Sequence, residues 1–199
     1  MGYFIAGHFT KVEPVVPSVR AVLPPSIGFR VYRHRTQPLF GIDTFRANKP
    51  RRSAFAAATP ATDLSLDLSG YAALQSIFQQ LQQQNEANGL KRAYINLSAS
   101  LSQALQQGVL SIYADDDGND FACFSEQGKL VSLVARCQDH LVLMSPDVGT
   151  QLVRRATTPF HACAAAHLQA TFGVAGADLG LGTFDPPDNY GFVEVEMTT

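Results

Sequence analysis

Residues 109–144 carry the pattern that most restricts the fold of this chain. Four short apolar runs are separated by residues typical of turns: Val109–Ala114, Phe121–Phe124, Lys129–Cys137 and His140–Met144. The first break contains Gly118 and Asn119, and the second contains Gly128. Glycine and asparagine reverse the chain between strands, because they tolerate the backbone angles that tight turns need. The pattern therefore predicts an antiparallel meander at the centre of a sheet.

The predicted third strand of the meander is apolar on both of its faces. Val131 and Leu133 point one way, while Leu130 and Val134 point the other way. A strand buried on one side only would place polar residues at every second position. We therefore expect helices to cover one face of the sheet, and the N-terminal segment or the last helix to cover part of the other.

Helices are predicted on both sides of the meander in the sequence. A helical hairpin is expected at 70–107, with a turn at Asn88-Gly89, because both of these residues tolerate left-handed backbone. Gly108 is expected to stop the second helix. In its second helix the apolar residues share one face, namely Tyr94, Leu97, Leu101, Ala104 and Leu105. A further helix is predicted at 160–172 after Pro159, and a short one at 147–155.

The first 55 residues differ from the rest of the chain. A short strand is predicted at 3–6, and prolines at 14, 17, 24 and 25 predict an extended or looped segment after it. Strands are then predicted at 28–34 and 39–45. The most natural boundary lies between Asn48 and Thr62, so we expect residues 1–55 to form an appended, Pro-rich basic strand and loop layer on a core domain at 62–199.

Together these patterns predict an α+β fold. Its central, largely antiparallel sheet would combine the meander 109–144 with a strand at 64–68, where leucines alternate with polar residues. The helical hairpin and the C-terminal helix would flank this sheet, and a last strand is predicted near 192–196.

Charge is distributed unevenly along the chain. Residues 1–55 hold nine basic and two acidic side chains, whereas the rest holds six basic and fifteen acidic ones, which gives a net charge of −2. Such opposed regions steer encounters with charged partners. The residues expected to bind a partner are Asp115, Asp116, Asp117, Asp120, Arg33, Arg35, Arg51 and Arg52.

The loop from Asp115 to Asp120 has some features of a calcium-binding loop. A loop of that type needs glycine at position 6, but Gly118 falls at position 4 when Asp115 is position 1. We therefore predict no metal site. The four carboxylates repel one another unless a basic group lies nearby, and that group is either the protein's own N-terminal segment or another molecule.

Cys163 and His167 form the alternative, catalytic hypothesis. They lie four residues apart on one face of a predicted helix, so a thiol–imidazole pair is geometrically possible, with Asp178 or Asp185 as a candidate third group. The neighbours of Cys163 are mostly alanines, however, which is typical of a tightly packed helix and favours an inert thiol. Cys123 is predicted to be buried in a strand.

The remaining motifs point away from cofactors and nucleic acid. The glycines at 173–182 follow a predicted helix rather than a strand, so a phosphate-binding loop is not expected. Aromatic residues interleave with arginines from Arg30 to Arg52, which makes nucleic-acid binding a second alternative. The arginines are scattered, however, and no known nucleic-acid module is present.

Composition sets the remaining expectations. Of the 199 residues, 46% are apolar and 16% charged, which is typical of a folded protein, and no run is long enough to span a membrane. Three unpaired cysteines and no recognisable export signal favour a reducing, cytoplasmic compartment. We expect a non-catalytic protein-binding module, of the kind served by inhibitors, immunity proteins or adaptors, with no cofactor.

Overall fold

The fold is built on one antiparallel sheet. A computed structural model of the chain describes residues 4–25, 27–44, 86–115, 121–137, 140–145, 149–154 and 191–195. Within these ranges nine strands form a single sheet in the order β8-β7-β6-β5-β4-β1-β3-β2-β9, and every neighbouring pair is antiparallel. The strands are β1 (Phe4–Thr10), β2 (Arg30–His34), β3 (Phe40–Asp43), β4 (Val109–Asp115), β5 (Phe121–Glu126), β6 (Lys129–Cys137), β7 (His140–Ser145), β8 (Gly149–Arg154) and β9 (Phe192–Glu194).

The predicted meander is present as β4 to β7, with strand bounds within two residues of the predicted ones. It continues further than expected. Residues Gly149–Arg154 form β8, which pairs with β7 from Ser145↔Gly149 to His140↔Arg154. The prediction of a short helix at 147–155 was therefore wrong for this segment. Six residues suffice for a strand but hardly for a helix, and an available strand edge decides between the two.

The strands of the N-terminal segment lie in the same sheet as the meander. β1 pairs on one side with β4, from Phe4↔Asp115 to Phe9↔Leu110, and on the other side with β3. β2 continues the sheet to β9, the predicted last strand. The predicted boundary between residues 48 and 62 lies outside the described part of the chain.

A short helix, α1 (Val16–Val22), replaces the extended segment predicted from the prolines. Pro17 lies in the first turn of α1, where the backbone N–H that proline lacks would have no helical partner anyway. Pro24 follows the last turn. The prolines therefore set the two ends of a helix instead of excluding one, and the sequence prediction was wrong here.

The second helix, α2 (Glu86–Leu105), differs from the prediction at its start and agrees at its buried face. Asn88 and Gly89 lie in its first turn, so the predicted turn at this dipeptide is wrong. Tyr94, Leu97 and Leu101 are buried, as their spacing predicted. Residues 70–85, the strand at 64–68 and the helix at 160–172 lie outside the described ranges.

Both described helices lie on one face of the sheet. α2 packs on β4, β5 and β6 and against α1. Their apolar side chains form one core cluster with the strands beneath them, including Val19, Leu23, Phe29, Val31, Ile42, Leu101, Val109 and Leu133. Full burial of an apolar side chain of this size stabilises a fold by roughly 1.5–3 kcal/mol.

The opposite face of the sheet is buried as well. Strand alternation places Phe9, Leu110, Ile112 and Phe192 on that face, and each of them is at most 1% exposed. This agrees with the sequence pattern of the meander, which is apolar at successive positions and not only at alternate ones.

Candidate functional site

Two of the predicted partner-binding arginines lie at one end of the sheet. Arg33 is the fourth residue of β2, and Arg35 follows the strand; both side chains are exposed. Arg33 is opposite Phe40 of β3, which in turn is opposite Thr10 of β1. We call this end of the sheet, where β1 finishes and β4 begins, the basic end.

The chain that carries these two arginines is held by hydrogen bonds. The N–H of Arg35 donates to the carbonyl of Gly191 (2.9 Å), and the N–H of His34 donates to the carbonyl of Leu39 (2.8 Å). The N–H of Thr36 donates to Nδ1 of His34 (3.3 Å), whose ring is buried edge-on against Phe192. The backbone that carries Arg33 at the end of β2 and Arg35 just after it is therefore held in place.

Gly191 has little room for a side chain beside this turn. Its φ is +80°, and a Cβ atom built there would lie 2.9 Å from Nε2 of His34. Glycine is needed at this position on both counts. The backbone just before β9 therefore packs closely against His34 at the end of β2.

Asp115 lies at the opposite end of the sheet from Arg33. Asp115 pairs with Phe4 at the start of β1. Thr10, six residues further along β1, lies level with Arg33, since Thr10 is opposite Phe40 and Phe40 is opposite Arg33. At about 3.3 Å per residue the two positions are roughly 20 Å apart along the strand direction, and β1 and β3 lie between their strands. The backbone positions of Arg33 and Asp115 are therefore far apart within one molecule.

Two other basic residues of the N-terminal segment are engaged internally. Arg30 forms an ion pair with Glu194 across β2 and β9 (3.2 Å), with each side chain about half exposed. Arg20 donates through Nη2 to the carbonyls of Pro24 (2.9 Å) and Ile27 (2.7 Å), and its guanidinium lies over the ring of Phe29. The ion pair of Arg30 agrees with the hypothesis that the basic segment pairs with the acidic part of the chain. The hydrogen bonds of Arg20 stabilise the end of α1.

A cluster of buried polar side chains lies between α2 and the sheet. Nδ1 of His8 in β1 and Oγ of Ser111 in β4 share a hydrogen bond of 2.6 Å. The His8 ring stacks on Tyr94 of α2, with centroids 4.9 Å apart and an interplanar angle of 18°. Ser98 of α2 donates to the carbonyl of Val109 (3.4 Å). Sequence reasoning missed this cluster, although a histidine and serines among apolar neighbours were its visible signal.

The titratable groups of this cluster are held in their uncharged forms. Burial lowers the pKa of the His8 imidazole to about 3, because the charged form would lose its hydration. Burial also raises the pKa of the Cys123 thiol to about 12, although hydrogen bonds to Ser98 and Ser111 oppose the rise. Cys123 is a free, fully buried thiol, as the sequence predicted. A protonated, inaccessible thiol is a poor nucleophile, so this cluster is suited to packing rather than catalysis.

Several predicted site residues cannot be placed. The side chain of Asp115 and the residues Asp116, Asp117, Asp120, Arg51, Arg52, Cys163 and His167 lie outside what the structure describes. The cysteine–histidine enzyme therefore stays a prediction. Rapid labelling of Cys163 in native buffer at neutral pH would support it, and labelling only after unfolding would count against it.

No metal site is found among the described residues, where no group of three or more histidine, cysteine, aspartate or glutamate side chains could hold an ion. Nor do the helices in these ranges include one long and apolar enough to cross a membrane.

Comparison of the chain with protein-family models, with curated proteins and with solved structures gave no match.

Proposed function

We propose that this protein is a non-catalytic protein-binding module that recognises its partner through charged surfaces. The observation that carries the proposal is the separation of the two charged regions. Exposed Arg33 and Arg35 lie at the basic end, while Asp115 begins the acidic loop at the other end. Regions of opposite charge at separate ends of a molecule can steer and orient a charged partner.

The chemistry of the described interior supports a binding role over a catalytic one. His8 and Cys123 are fully buried and uncharged at neutral pH, since burial shifts the pKa of each away from neutrality. Neither side chain can meet a substrate without unfolding of the core.

Arginines that already make contacts within the protein weaken the case for nucleic-acid binding. Arg30 is paired with Glu194, and Arg20 is committed to the carbonyls at the end of α1. Arg30, the first arginine of the segment from Arg30 to Arg52, is thus already used within the protein. Nucleic-acid affinity depends on the number of phosphates that free cations can neutralise, so each internal pair weakens it.

The proposal is tested by capturing partners at low salt with the full chain and with charge variants. Replacing Arg33 and Arg35 together by glutamine should weaken retention of the partner roughly three- to tenfold, because each charge at the rim of an interface contributes up to about 1 kcal/mol. Raising the ionic strength should weaken the wild type in the same direction.

Lys129→Gln is the matched control, since Lys129 is also an exposed cation at this end of the sheet but lies five strands from Arg33. Its retention should equal that of the wild type. The proposal fails if no protein is captured, or if neutralising Arg33 with Arg35, and separately Asp115 with Asp116 and Asp117, leaves retention unchanged.

A further inference from the structure

We draw no further inference here: the strongest candidate, the outer edge of β8 at the end of the described sheet, carries none, because nothing among the described residues shows what would pair with it.

Discussion

His8 shows how much a single buried residue can depend on its surroundings. It lies near the middle of the sheet, stacked on Tyr94 and bonded to Ser111, with its Nε2 lacking a hydrogen-bond partner among the described residues. A neutral ring tolerates one unpaired nitrogen lone pair, whereas a protonated ring would bury an unpaired N–H and a charge. The site therefore favours the neutral imidazole.

This environment predicts a loss of stability in acid. The pKa of His8 is about 3 in the folded chain and 6.5 when the ring is exposed, so the unfolded state binds a proton first as the pH falls. The contribution is complete above pH 6.5 and declines towards pH 3. At pH 5 the free energy of unfolding should be about 2 kcal/mol lower on account of His8.

Urea unfolding between pH 7 and pH 4 measures this effect. Carboxylates titrate in the same interval, so the comparison is with His8→Phe combined with Ser111→Ala, which keeps a stacked ring and removes both polar partners together. The double variant should lose less stability with acid than the wild type. Parallel pH profiles for the two proteins would show that His8 is not buried as described.

At the scale of elements, the end of α2 departs from the expected use of glycine. The N–H of Gln107 donates to the carbonyl of Ser102 (3.3 Å), and the N–H of Gln106 donates to that of Gln103 (3.4 Å). This is the Schellman arrangement, and its left-handed position is Gln106, with φ of 53°. The helix thus ends at Leu105, three residues before Gly108, and glutamine lies where glycine is most common.

Gln106→Gly should therefore stabilise the protein by about 0.5–1 kcal/mol, because glycine adopts positive φ without strain. The gain is limited by the loss of the bond from Gln106 Nε2 to the Gln103 carbonyl (2.6 Å). Gln103→Gly, one turn earlier and also exposed, should instead destabilise by about 1 kcal/mol. Thermal unfolding of both variants gives the comparison, and two changes of the same sign would contradict this account.

At the scale of the whole molecule, the position of β1 ties the two halves of the sequence together. β1 separates β4 of the meander from β3 of the N-terminal segment and pairs with both. The buried side chains of His8 and Phe9 lie on its two faces. Removing β1 would expose the edge of β4 and open the core on both sides.

Residues 56–199 expressed alone should therefore fail to fold cooperatively. Addition of residues 1–55 as a separate chain should restore structure, because the strand supplies its hydrogen bonds and buried side chains without needing a covalent link. Far-UV circular dichroism and urea titration measure both steps. A cooperative transition of 56–199 alone would instead support the division into an appended layer and an independent core.

The sequence by itself determined the local structure wherever apolar residues recur with a clear period. The meander, the buried face of α2 and the core position of Cys123 followed from apolar spacing and turn residues, since these preferences act between neighbours in the chain. Local signals conflicted at three places: residues 16–22 form a helix among prolines, Asn88-Gly89 lies within another helix, and Gly149–Arg154 pairs with the edge of β7.

Only the tertiary structure decided which distant residues meet. No local pattern shows that β1 lies beside β4, that His8 meets Ser111 and Tyr94, or that Arg33 and Asp115 lie at opposite ends of one sheet. Strand order is set by long-range hydrogen bonding and by burial of both faces, which no window of neighbouring residues contains.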